Sequence, residues 1–108
     1  MNYQALSPKY AVSPQIRLED IAALKADGFK VVISNRPDGE EAGQPTAAQI
    51  KAACEEAGLA FYHCPMQGPS VNPDDVEVLR GLLQKDGKIF AFCRTGNRSS
   101  MFFQYAQA

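Results

Sequence analysis

The run Val31-Val32-Ile33 is apolar and β-branched at every position, so neither face of the strand it forms can be left to water. Such a strand needs helices on both of its sides, and the surrounding sequence supplies them. Ile21, Ala22 and Leu24 share one face of a short helix that Gly28 closes, and the strand Phe29–Ser34 follows at once. Thr46 with Gln49 makes a capping box, after which Ile50, Ala53, Cys54 and Ala57 recur at helical spacing up to Gly58. Leu59–His63 reads as a strand. Asn72-Pro73-Asp74-Asp75 then opens a helix with a cap, a proline at its first position and two acids in its first turn, and Val76, Leu79 and Leu83 form its buried stripe. Tyr10-Ala11-Val12 is a weak first strand, Lys88–Phe92 a fourth, and Ser100–Ala108 a last helix. Short apolar runs alternating with helices predict an α/β domain built on a parallel sheet.

A chain of 108 residues supports one core, so residues 1–108 are expected to form a single domain. Eleven Lys and Arg against twelve Asp and Glu leave a net charge of −1, without the basic field of a nucleic-acid binder. The longest apolar run, Ile89–Cys93, is far short of the ~20 residues that span a bilayer, and Met1–Tyr10 holds no signal-type stretch. The expectation is a cytoplasmic protein with neither nucleic acid nor membrane as partner. Cys54, Cys64 and Cys93 are too few for a disulfide framework, and no His, Cys and carboxylate grouping has metal-ligand spacing. Neither a metal nor a cofactor is called for.

The chemistry concentrates in Cys93-Arg94-Thr95-Gly96-Asn97-Arg98-Ser99. A loop leaving the carboxyl end of a buried parallel strand for a helix aims its backbone N–H groups, and the positive end of the helix dipole, at one point that attracts an anion. Cys93 supplies a sulfur nucleophile there, and Arg98 a planar fork that holds an oxyanion through two hydrogen bonds. Gly96 permits a tight cradle, the Ser99 hydroxyl is placed to hydrogen-bond a thiolate, and Arg94 adds positive charge at the mouth. The same field predicts a Cys93 pKa below ~8.5.

This loop resembles the active-site loop of rhodanese-type sulfurtransferases and is similar to the phosphate-binding loop of cysteine-dependent phosphatases. Together with Ser34-Asn35-Arg36-Pro37-Asp38-Gly39-Glu40-Glu41, Val12-Ser13-Pro14-Gln15-Ile16 and His63-Cys64-Pro65, it makes the whole chain resemble the phosphatase-like domain family of beta-lactamase hydrolase-like proteins. The resemblance implies a three-layer α/β/α fold of the dual-specificity-phosphatase type, with four parallel strands in the order one, four, two, three. It also implies a setting of sulfide and persulfide handling, with a metallo-hydrolase or persulfide dioxygenase module as partner, since some members are fused to one.

Phosphatases of the resembled type place five residues between the Cys and the Arg; here only Arg94, Thr95, Gly96 and Asn97 intervene. The shorter loop is like that of the sulfurtransferases. Phosphatases also need an acid for the leaving group, commonly after the third strand, and Met66–Ser70 contains none. The leading expectation is therefore sulfur transfer through a Cys93 persulfide, from thiosulfate or another persulfide to a thiol acceptor. The alternative is a phosphatase acting on a phosphoester through a cysteinyl-phosphate, with Asp38 as acid and Arg36 beside it, because the loops after strands two and four are neighbours in the implied order. A third reading is a non-catalytic module that binds phosphate or sulfate. His63 and Cys64 end a strand two ~4.8 Å spacings from the Cys93 strand, beyond direct reach of its sulfur. Both are read as structural, as are Cys54 on a core stripe and Asp74 and Asp75 at a helix start.

Overall fold

The computed structural model describes residues 1–108 and has helices packed on both faces of one mixed sheet. The strands are β1 (Gln4–Ser7), β2 (Tyr10–Ser13), β3 (Phe29–Ser34), β4 (Ala60–His63) and β7 (Lys88–Phe92), with β5 (Met66–Gln67) and β6 (Ser70–Val71) forming a separate hairpin. The helices are α1 (Ile21–Ala26), α2 (Ala47–Ala57), α3 (Pro73–Leu83) and α4 (Asn97–Gln107), and a 3-10 turn covers Leu18–Asp20. The main sheet runs β1-β2-β7-β3-β4; all its pairings are parallel except β1 with β2. The sheet thus has five strands rather than the expected four. The added edge is a hairpin arm turning at Pro8-Lys9, too short and too polar to read as a strand from its residues.

Two apolar clusters sandwich the sheet. On one face Leu24 of α1 and Ile50 and Cys54 of α2 pack over Val32, Phe90 and Phe92; on the other, Val76, Leu79 and Leu82 of α3 and Phe102 of α4 pack over Val12, Ile33 and Ala91. Ala22 is exposed while Ile21 and Leu24 are buried, so the α1 stripe is narrower than expected. Leu82 rather than Leu83 completes the buried stripe of α3, and Leu83 packs at its margin. The capping box of Thr46 and Gln49 forms as read, and Gly58 closes α2 at φ 83°. Phe103 stacks on Tyr10 with ring centres 4.5 Å apart, so the aromatics of α4 cover the sheet.

Parallel pairing places Ser13, Phe92, Ser34 and His63 in one row at the carboxyl edge. The segments that follow each of these residues open on the same side, and this edge carries the site. None of the helices is long and apolar enough to cross a membrane.

Candidate active site

β7 ends at Phe92, and Cys93 follows with no exposed surface. The chain turns through Arg94 and Thr95 to Gly96, whose φ of 97° lies in the left-handed region, and α4 starts at Asn97. The helix therefore begins inside the loop, three residues before the expected Ser100, and its free N–H groups are part of the cradle. The Gly96 N–H donates to Cys93 Sγ at 3.0 Å. Burial pushes the Cys93 thiol up, but amide donation from Ser99, Thr95 and Gly96 and the Ser99 hydroxyl outweigh it, and the net effect is a lowered pKa. Ser99 Oγ is buried and makes no hydrogen bond of regular geometry elsewhere, which leaves it to the sulfur.

The cradle is tied from behind. Tyr10 Oη donates to the Ser99 carbonyl at 2.9 Å, the Gln15 N–H to the Arg94 carbonyl at 3.3 Å, and Ser100 N–H and Oγ both to the Gly96 carbonyl. A Cβ on Gly96 would lie 3.5 Å from the Ser13 backbone, so β2 backs directly onto the turn. Arg94, Thr95 and Asn97 are exposed on its rim, and the Thr95 hydroxyl accepts from the Asn97 N–H. Thr95, Gly96 and Asn97 also border a polar cleft of about 260 Å³ shared with Ser13 and Asn2.

Arg98 donates from Nη1 and Nη2 to the two carboxylate oxygens of Glu40, both at 2.8 Å, and from Nη1 to the Met66 carbonyl at 2.9 Å. Hydrogen bonding to Glu40 raises the Arg98 pKa, and charge on Cys93 adds to it against some opposition from burial. Glu40 also accepts from Arg36 Nε at 2.9 Å. Hydrogen bonding to Arg98, with a further contribution from Arg36, holds the Glu40 carboxyl down at about 2 against some opposition from burial. One carboxylate thus joins the arginine of the loop to a second arginine below it.

Arg36 differs from its expected place as an anion ligand. Its side chain is 2% exposed and turned into the protein, with Nη1 on Gln15 Oε1, Nη2 on Glu41 Oε1 and Nε on Glu40. A guanidinium so engaged braces the loop after β3 rather than facing a ligand. Asp38, the expected acid, accepts from the Ala47 N–H at 2.8 Å, at the start of α2. His63 Nε2 lies 2.9 Å from the Arg36 carbonyl; a carbonyl only accepts, so this nitrogen carries the proton and the ring serves the same brace. Burial, with a contribution from Asp75, pushes Cys64 up to about 12, and burial pushes Cys54 up to about 11, leaving Cys93 as the activated thiol of the three.

Glu40, Gln15, Tyr10 and the Met66 carbonyl were missed by sequence reasoning. Glu40 lay inside the Ser34–Glu41 stretch that carries the family resemblance, but a partner 58 positions away leaves no spacing signal.

A buried cysteine with a lowered pKa at the foot of a strand–loop–helix cradle, on a largely parallel sheet covered by helices on both faces, defines a cysteine-phosphatase-like α/β domain. The chain belongs to the family of the beta-lactamase hydrolase-like protein, phosphatase-like domain, whose model matches residues 2–108. A beta-lactamase hydrolase-like protein of Agrobacterium fabrum is 32% identical over 104 residues, which cover 95% of this chain and 24% of that protein. The chain spans about a quarter of the length of the curated relatives it matches. A solved Neisseria meningitidis structure described as a "putative phosphatase" has a TM-score of 0.79 at 37% identity, covering 93% of this chain and 72% of that one. The P. aeruginosa TpbA C132S variant, solved with pTyr, has a TM-score of 0.65 at 21% identity, covering 94% and 59%, and is similar in fold.

Proposed function

We propose that this domain is a cysteine-dependent phosphatase. The observation that carries the proposal is the Cys93 sulfur, buried at the base of the loop and accepting from the Gly96 N–H, with Arg98 closing the same loop at the start of α4. In this reading the Cys93 thiolate attacks the phosphorus of a small phosphoester. The N–H groups of Arg94 to Ser99 and the Arg98 fork take up the negative charge on the phosphoryl oxygens, and water releases phosphate from the cysteinyl-phosphate. Phosphatase neighbours reverse the order in which the sequence ranked the two enzymatic readings.

Sulfur transfer is the second reading, favoured by one observation: only four residues, Arg94–Asn97, separate Cys93 from Arg98, so the cradle is shorter than that of tyrosine phosphatases. The test is release of phosphate from p-nitrophenyl phosphate beside release of thiocyanate from thiosulfate and cyanide. Phosphate release that disappears in Cys93→Ser is the expected result; Cys93-dependent thiocyanate formation without phosphate release reverses it. If Cys93→Ser binds phosphate as wild type does and neither protein turns over substrate, the loop is a binding module.

A further inference from the structure

The acids of the loop after β3 are all committed elsewhere, and Asp75, in the first turn of α3, interacts with Cys64 and His63. Glu40, whose carboxylate reaches Arg98, has both oxygens on that guanidinium and one also on Arg36. Glu41 pairs with Arg36, and Asp38 accepts from the start of α2. The β5–β6 hairpin, where a phosphatase acid is commonly found, offers Arg98 only the Met66 carbonyl and carries no Asp, Glu or His from Pro65 to Val71. The protons of Tyr10 and His63 are already donated to the carbonyls of Ser99 and Arg36.

On the phosphatase reading of the site, we propose that its substrates are phosphoryl compounds whose leaving group departs without protonation, namely acyl phosphates and activated aryl phosphates rather than alkyl phosphates such as phosphoserine. The balance of the reaction needs no enzymic acid. The Cys93 thiolate forms the S–P bond as the P–O bond breaks, and the electron pair leaves on a carboxylate or phenolate that is stable as an anion. Water then attacks phosphorus, the S–P bond breaks, the thiolate returns, and the proton of the water goes to the phosphate product. An alkoxide expelled without a proton lacks this stability, and a positioned acid is worth roughly 10²–10⁴-fold in such steps.

The test compares kcat/KM at one pH for acetyl phosphate, p-nitrophenyl phosphate, phenyl phosphate and phosphoserine. It uses wild type, Asp38→Asn, Glu40→Gln and Asp75→Asn. The expected result is a fall of about 10²-fold or more from p-nitrophenyl to phenyl phosphate, no turnover of phosphoserine, and each variant scaling every active substrate by one factor. A dependence nearly flat from acetyl phosphate to phosphoserine overturns the inference and leaves the phosphatase intact. So does a variant that slows phenyl phosphate selectively, since it identifies the acid. Absence of Cys93-dependent phosphate release from all four substrates overturns the inference and the phosphatase reading together.

Discussion

At the scale of single residues the site depends on which charges are held ionised and by what. Cys93 sits in a field of amide donors that outweighs its burial, so its thiolate is populated at lower pH than an ordinary cysteine's. The expected outcome in an iodoacetamide titration is a rate midpoint for Cys93 below that of an unperturbed cysteine, shifting upward in Ser99→Ala, with Cys54 and Cys64 unreactive in the folded protein. Arg98 is held end-on by Glu40, and a guanidinium held in plane loses less freedom when it meets an oxyanion. Glu40→Gln keeps the shape and drops the charge; kcat/KM for p-nitrophenyl phosphate is expected to fall about tenfold, with Glu40→Asp recovering part of it. An unchanged kcat/KM in Glu40→Gln would remove Glu40 from the account. Cys93 and Arg98 were legible because a nucleophile and a fork enclosing a glycine suit no core. Arg36 was legible as important but not in role: its chemistry is the same whether it meets a ligand or Glu40 and Glu41, and only the fold decides.

At the scale of elements, the loop depends on where α4 begins. Its start at Asn97 requires the left-handed turn at Gly96, and that turn points an N–H at the sulfur. Gly96→Ala meets Ser13 only at ordinary contact distance, so its cost is the backbone strain of a side chain at φ 97°. The expected loss is about 1–3 kcal/mol in urea melts, with Cys93 less reactive towards iodoacetamide. By contrast Thr46→Ala removes the cap of α2, whose capping hydrogen bonds go only to Gln49, and is expected to cost about 1 kcal/mol while leaving alkylation of Cys93 unchanged. The α2 and α3 starts were legible because caps are local chemistry. The start of α4 was not, since Thr95, Gly96 and Asn97 read equally as loop, and β1 was not, since its pairing with β2 is tertiary.

At the scale of the whole molecule, four strand ends level with one another bring Gln15, Arg36, Met66 and Cys93 to one edge, although they are far apart in the chain. The β-branched apolar run of β3 announced the two-sided sheet; no single segment announced the Arg36–Glu40–Arg98 chain across its edge. That chain has a consequence for stability. Glu40 titrates at about 2 in the fold against an ordinary 4.5, so its contribution is complete above 4.5 and is lost as pH falls through about 2. Acid titration by circular dichroism is expected to show Glu40→Gln losing less stability than wild type over that interval; identical acid sensitivity would deny the ion pairs any part in the fold.

In the proposed reaction the Cys93 sulfur is the atom that takes the phosphoryl group. Acid quenching during turnover of p-nitrophenyl phosphate, followed by intact-protein mass and peptide mapping, tests it directly. The expected result is one phosphoryl group on Cys93 in wild type and none in Cys93→Ser. Phosphate release without any cysteinyl-phosphate, or a phosphoryl group on another residue, would contradict it.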